Sequence, residues 1–146
     1  MRLGRRREVQ DTMRVEAFML CDAATVQGGK LNVLGAFDTI YFPTVPAVYP
    51  ACSIALRIRW QRIEEGDHSL RITIVDADGK PLGPPVQGSA RVRMPAGSST
   101  AVSNLTLQMQ RLPFKDYGEF SIDLAIDGRQ EGSLPLIVKP VPPPSS

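Results

Sequence analysis

Between Ala51 and Ile63, "ACSIALRIRWQRI", large apolar residues occupy every second position: Cys52, Ile54, Leu56, Ile58 and Trp60 alternate with Ser53, Ala55, Arg57, Arg59 and Gln61. A period of two marks a strand with one buried face, because successive side chains of extended backbone point to opposite sides. "HSLRITIVD", residues 68 to 76, repeats the pattern with Leu70, Ile72 and Ile74 inward and Arg71 and Thr73 outward. With the turn Glu64 to Asp67 between them, the two runs predict a hairpin.

The same alternation recurs in "VQGSARVRM" (Val86, Ala90, Val92 and Met94 inward) and in "VSNLTLQMQ" (Leu105, Leu107 and Met109 inward). Further on, Phe120, Ile122, Leu124 and Ile126 lead to Asp127-Gly128, after which Leu134, Leu136 and Val138 return. Asp-Gly between two alternating runs is a strong hairpin signal, since a tight primed turn needs positive φ at both central residues. Arg14 to Asp22 and Lys30 to Tyr41 read as two further strands, and "FPTVPAVYP", residues 42 to 50, as a proline-punctuated connector between sheets.

No stretch of helical periodicity interrupts these runs. The pattern therefore predicts an all-β fold: an antiparallel two-sheet β-sandwich, immunoglobulin-like in layout, with about eight strands. Tyr117, just before the penultimate strand, is placed where a tyrosine corner would form. In that layout Arg57 and Arg59 lie across one outer sheet face from Glu119 and Asp123. These four with Arg71 make up the candidate interaction face, the plainer reading being a solvated charge ladder that fixes register.

The chain has 146 residues, 42% hydrophobic and 22% charged, and so is long enough for one ordinary domain with its own core. Its net charge of +2 belongs to residues 1–12, which hold four arginines against Glu8 and Asp11. The remainder balances at zero and offers no net basic field to nucleic acid. Aromatics are only 6% of the chain. Phe18, Phe37, Trp60 and Phe120 fall in core patterns, and Tyr41, Phe42, Tyr49, Phe114 and Tyr117 scatter around loops, so no stacking platform for bases is visible.

The domain organisation read from this is a basic extension over 1–12 expected to be disordered, a β-sandwich over 13–139, and a Pro-rich tail over 140–146 expected to be extended and unpaired. No apolar run approaches the roughly 20 residues of a membrane-spanning helix, and Ala17 to Cys21 is too short for a secretory core. A cytoplasmic location follows as the expectation. Cys21 and Cys52 lack any CxxC spacing and read as buried thiols rather than a disulfide or zinc site.

Four motifs with chemical meaning need weighing. "QGGK", residues 27–30, has a Gly-Lys pair, but Ala24 stands where a phosphate loop needs its first glycine and Leu31 where it needs a hydroxyl. The two glycines instead suit a hairpin turn. His68, the single histidine, neighbours Ser69, but adjacent strand residues face opposite ways, so no nucleophile–base pair forms and an exposed hairpin histidine is expected. Asp76 and Asp78 in "VDADGK" are weak candidate calcium ligands, short of the six to eight oxygens calcium takes, and Asp-x-Asp-Gly is equally good turn chemistry. Pro140 and Pro143 satisfy P-x-x-P, which by itself is a poor sign of binding.

"MRVEAFMLCDAATVQGGKLNVLGAFDTIY" from Met13, "ALRIRWQRIEEGDHSLRITIVDADGKP" and "YGEFSIDLAIDGRQEGSLPL" resemble an uncharacterised bacterial family, domain of unknown function 6941, over about residues 13–138. The resemblance implies no activity, cofactor or catalytic residue, and suggests that relatives start near Met13. Because no catalytic constellation is visible in the sequence, function is expected to be non-catalytic: an interaction or structural module with a protein partner or as a homo-oligomer through an open sheet edge, without cofactor, membrane or specific nucleic acid. The rival class is a small-molecule or carbohydrate binder using the end loops, with or without calcium.

Overall fold

The computed structural model describes residues 12–144. Most of the extension predicted over 1–12, and the last two residues of the Pro-rich tail, lie outside the described residues. Nine strands follow one another: β1 (Arg14–Gln27), β2 (Lys30–Ala36), β3 (Thr39–Phe42), β4 (Ala47–Gln61), β5 (Gly66–Val75), β6 (Val86–Val92), β7 (Thr100–Phe114), β8 (Gly118–Ile126) and β9 (Arg129–Pro140). They form the expected two-sheet architecture, a four-stranded sheet ordered β2-β1-β4-β7 and a five-stranded sheet ordered β3-β9-β8-β5-β6. The second curls as a half-barrel.

The centre of the core is made of positions the alternation selected, joined by Phe42 and Phe114, which read as loop aromatics, while Val86, Leu105, Leu107, Phe120 and Leu134 are only partly buried. Cys52, Ile54, Leu56, Ile58 and Trp60 of β4 face Leu70, Ile72 and Ile74 of β5 and Ile122, Leu124 and Ile126 of β8, all of them buried. Each such aliphatic side chain contributes about 1.5–3 kcal/mol on leaving water. The indole N–H of Trp60 donates to Ser103 Oγ on neighbouring β7 at 2.8 Å, so the largest core side chain carries no unpaired polar atom.

Four expectations fail. The runs 51–63 and 68–76 do not form a hairpin: β4 lies in one sheet and β5 in the other, and the chain crosses between them through a single 3-10 turn, Arg62–Glu64. Each run alternates because each buries one face, and the two buried faces meet across the core instead of sharing a ladder. The predicted strand Lys30–Tyr41 is divided at Phe37 and Asp38, its first part pairing with β1 and its second joining the other sheet. The sandwich is not wholly antiparallel, since β3 pairs with β9 in parallel. Finally, Lys139 and Pro140 are ladder residues opposite Tyr41 and Phe42, and the Val141 amide donates to Phe42 O at 3.2 Å, so the unpaired tail begins later than predicted.

Both two-residue turns are as predicted. Gln27 pairs with Lys30 around Gly28 (φ 57°) and Gly29 (φ 71°), and Ile126 pairs with Arg129 around Asp127 (φ 52°) and Gly128 (φ 79°). The β1–β2 hairpin also bends back across the first sheet. Ser53 and Ala55 on the outward side of β4 are buried, and Asn104 Nδ2 on β7 donates to Gly29 O at the hairpin tip at 3.0 Å.

Gly35 permits this bend. Its φ is +67°, and a Cβ there would lie 2.5 Å from the Asp22 carboxylate. Gly35→Ala is expected to lower stability by about 1–3 kcal/mol through left-handed strain alone, before the contact is counted. Urea unfolding checks this, and adding Asp22→Ala should recover only the part due to the contact.

Candidate functional site

On the outer face of the first sheet, a bulge in β1 between Val15 and Ala17 turns the Glu16 carboxylate toward β4. Arg57 Nε donates to Glu16 Oε1 at 2.9 Å and Arg59 Nε to Oε2 at 2.7 Å. Arg57 Nη1 continues to Asn104 Oδ1 and Arg59 Nη1 to Thr100 Oγ1. The bond from Arg59 is the main reason that Glu16 titrates below the usual carboxylate range, against a smaller opposing effect of burial. This is a ladder on one face, built around Glu16.

The predicted pairing of Arg57 and Arg59 with Glu119 and Asp123 does not occur. β4 and β8 belong to different sheets that meet through their inner faces, so their outer faces point away from each other. Asp123 is held by the Ser121 and Ser133 hydroxyls at 2.6 and 2.9 Å. Arg71, on the same outer face opposite Ala125, makes no ion pair among the described residues. Glu119 sits at the far end of β8. The five residues of the candidate interaction face are therefore split between two faces and an end.

Glu119 and the two candidate calcium ligands line one cleft. Asp76, Asp78, Lys80, Asp116, Tyr117 and Glu119 share a cleft of about 380 Å³ at one end of the sandwich, with Pro81, Leu82 and Phe120 as apolar wall. Asp76 Oδ1 accepts the amides of Asp78 and Lys80, both at 2.9 Å, which is the turn-capping role of an aspartate. Among the described residues, no three His, Cys, Asp or Glu side chains are grouped so as to hold a metal ion.

Tyr117 does not make a local corner. Its hydroxyl donates to Phe42 O at 2.9 Å, tying the start of β8 to β3. Nor are the loop aromatics scattered. Phe114 contacts Phe42 (centroids 5.9 Å) and Phe120 (5.2 Å), and Tyr49 bridges Phe42 and Phe37, so these rings form one packed cluster at that end.

At the opposite end His68 is not exposed as predicted: its side chain is only 14% accessible. The ring stacks on Trp60 with centroids 4.2 Å apart. Nδ1 meets the Asp127 carboxylate, and Nε2 lies 2.6 Å from Glu64 O. Burial lowers the His68 pKa, but the bonds to Glu64 O and Asp127 outweigh it and leave the group above its ordinary value. Asp127 is held below the usual range, chiefly by His68. Sequence reasoning missed this cluster because His68 and Asp127 are far apart along the chain.

Cys21 and Cys52 are free and buried. Burial pushes the Cys52 thiol up to about 11, which leaves it a poor nucleophile.

A third opening lies along the side of the sandwich. β2 pairs with β1 only from Cys21 onward, and β3 pairs with β9 only from Ile137 onward. Among the described residues, the early part of β1 and the stretch Arg129–Leu136 of β9 thus have no ladder partner on that side, and the two strands approach each other there with the Phe18 ring against Gly132. Between them runs a cleft of about 410 Å³ lined by Phe18, Leu20, Ala36, Phe37, Asp38 and Leu134. Pro135 borders it on the β9 side, where a missing N–H discourages strand addition. No helix among the described residues is long and apolar enough to cross a membrane.

The fold and its openings define a class, a two-sheet β-sandwich module. More particularly, the chain belongs to a family of unknown function, DUF6941, whose model matches residues 16–139. No curated protein is detectably similar in sequence. Among solved structures, the chain is similar to part of a Pseudomonas fluorescens alkylpurine DNA glycosylase, AlkC, bound to DNA containing an abasic site analog. The TM-score is 0.50 at 9% identity, over 87% of this chain and 30% of that one.

A β-glucosidase from Listeria innocua in complex with isofagomine also scores 0.50, at 6% identity over 84% of this chain and 16% of that one. An immunoglobulin-like protein from Pseudomonas aeruginosa scores 0.38, at 10% identity over 88% and 98% of the two chains. At such identities the likeness concerns fold alone, and this chain spans less than a third of the first two.

Because Asp76 caps its own turn, Asp76→Ala is expected to cost about 0.5–1.5 kcal/mol for each amide bond lost. The loss should be equal with and without added calcium, as measured by urea unfolding. A loss that appears only with calcium would assign Asp76 to a metal site.

Proposed function

We propose that this chain is a non-catalytic interaction module that associates through its lateral strand edge, in the first instance with a second copy of itself. The observation that carries the reading is the open edge of early β1 beside an apolar cleft. A strand laid there would continue the line of β2 and pair with free backbone groups, while Phe18, Phe37 and Leu134 would receive its alternate side chains. Two of the groups most able to do chemistry are occupied, which supports the non-catalytic part: both His68 nitrogens are engaged, and the Cys52 thiol is suppressed. Two unpaired thiols in the core fit a reducing compartment such as the cytoplasm.

A second reading, a loop-based small-molecule or carbohydrate binder, is favoured by the end cleft that gathers Asp76, Asp78, Asp116, Glu119 and Tyr117. A rise in melting temperature on adding calcium or sugars would support it.

Sedimentation velocity on the full chain tests the first reading. The average mass is expected to rise with concentration toward that of a dimer. Ala36→Arg, an exposed cleft position, should return it to monomer with an unchanged circular dichroism spectrum. A wild-type chain that stays monomeric at every concentration, or an Ala36→Arg variant that associates as before, overturns the lateral-edge reading.

A further inference from the structure

We propose that protonated His68 locks the Trp60 end, joining the β8–β9 turn of its own sheet to the 3-10 turn that links the sheets and to Trp60 of the other sheet, and that loss of its proton opens this end, so that the module responds to pH. The geometry carries the argument. Nδ1 faces a carboxylate oxygen of Asp127 and Nε2 faces the carbonyl oxygen of Glu64, and both partners are acceptors only. An imidazolium, with two N–H donors, satisfies both at once. A neutral ring has one donor and sets a nitrogen lone pair against an oxygen lone pair on the other side.

The partners sit on separate elements. His68 is on β5, Asp127 on the β8–β9 turn, Glu64 on the 3-10 turn that links the sheets, and Trp60, stacked beneath the ring, on β4 of the other sheet. The imidazolium over the indole face adds a cation–π contribution that the neutral ring lacks.

Other charged groups around the cluster are committed elsewhere or balance. The Glu64 carboxylate accepts the amides of Gln61 at 2.7 Å and Met13 at 3.1 Å. Glu65 accepts the Met94 amide, and Asp67 is paired with Arg91 of β6. Arg129 and Glu131 of β9, of opposite sign, line with Asp127 a small cavity of about 230 Å³ that reaches Trp60. Asp127 is thus the carboxylate with its charge directed at the ring. Weakening its bond loosens the hold on the β8–β9 turn, which the Ser69 amide to Asp127 Oδ1 and the Asp127 amide to Ser69 O, both at 2.9 Å, still tie to β5.

The sign follows from linkage. His68 holds its proton more firmly in the closed state than in an open or unfolded one, where the ordinary value near 6.5 applies. The clamp is at full strength below that value. Its contribution falls by up to about tenfold in the closing equilibrium per pH unit as pH rises through the window between the two pKa values. Above the folded pKa it is gone.

With one histidine and one tryptophan in the whole chain, the test reads both partners directly. The histidine ring proton resonance of the full chain is expected to titrate with a midpoint above 6.5. Trp60 emission, and its quenching by acrylamide, should change over the same pH range as the end opens. Asp127→Asn, which keeps the turn residue but removes the charge, should move the midpoint down, and His68→Gln should abolish the Trp60 transition while the chain stays folded. A midpoint at or below the ordinary value, or Trp60 accessibility that is flat across the titration, overturns the proposal.

Discussion

Burial of the inner face of β4 is the constraint on which the rest of the molecule depends. This strand runs for 15 residues and is paired on both sides, with β1 along its second half and with β7 along most of its length. Every second residue from Cys52 to Trp60 is at most 1% accessible. At about 1.5–3 kcal/mol for each large apolar side chain, this face outweighs any exposed ion pair on the outer side, where Arg57–Glu16 and Arg59–Glu16 are worth about 0.2–1 kcal/mol each. The arginine ladder therefore tunes register and solubility, and the inner face sets the fold.

From that strand the geometry of both ends follows. At one end Trp60 carries the stack with His68 and, through it, the connection to Asp127 and Glu64. At the other, Ala47 and Tyr49 bring β4 to Phe114 and Leu112 of β7, where the aromatic cluster closes the core beneath the Asp76 cleft. The lateral opening has a different origin. β1 exchanges β4 for β2 as its partner at Cys21, and β2 then leaves with the back-folded hairpin, so neither sheet is completed on that side.

What the sequence made legible was local. Period-two alternation named the buried face of β4, β5 and β8, and turn chemistry placed Gly28-Gly29 and Asp127-Gly128 where positive φ was required. Strand neighbours were not legible, because alternation reports which face is buried and says nothing of what lies across the ladder. Hence β4 and β5 were read as a hairpin, and Arg57 and Arg59 were matched with carboxylates now known to lie on another face. The division at Phe37–Asp38 was hidden because both halves are strand-like and only the change of sheet separates them. His68 failed for a further reason: its environment is assembled from four elements, and no short window contains more than one of its partners besides Glu64.

Native-state amide hydrogen exchange tests the central role of β4 most directly, since it ranks segments by the free energy of opening. Amides of Cys52 to Ile58 are predicted to exchange most slowly, at rates set by global unfolding, with those of β2 from Leu31 to Gly35 far faster. Exchange from β4 as fast as from β2 would contradict the account, because the strand taken to organise both sheets would then open without unfolding them.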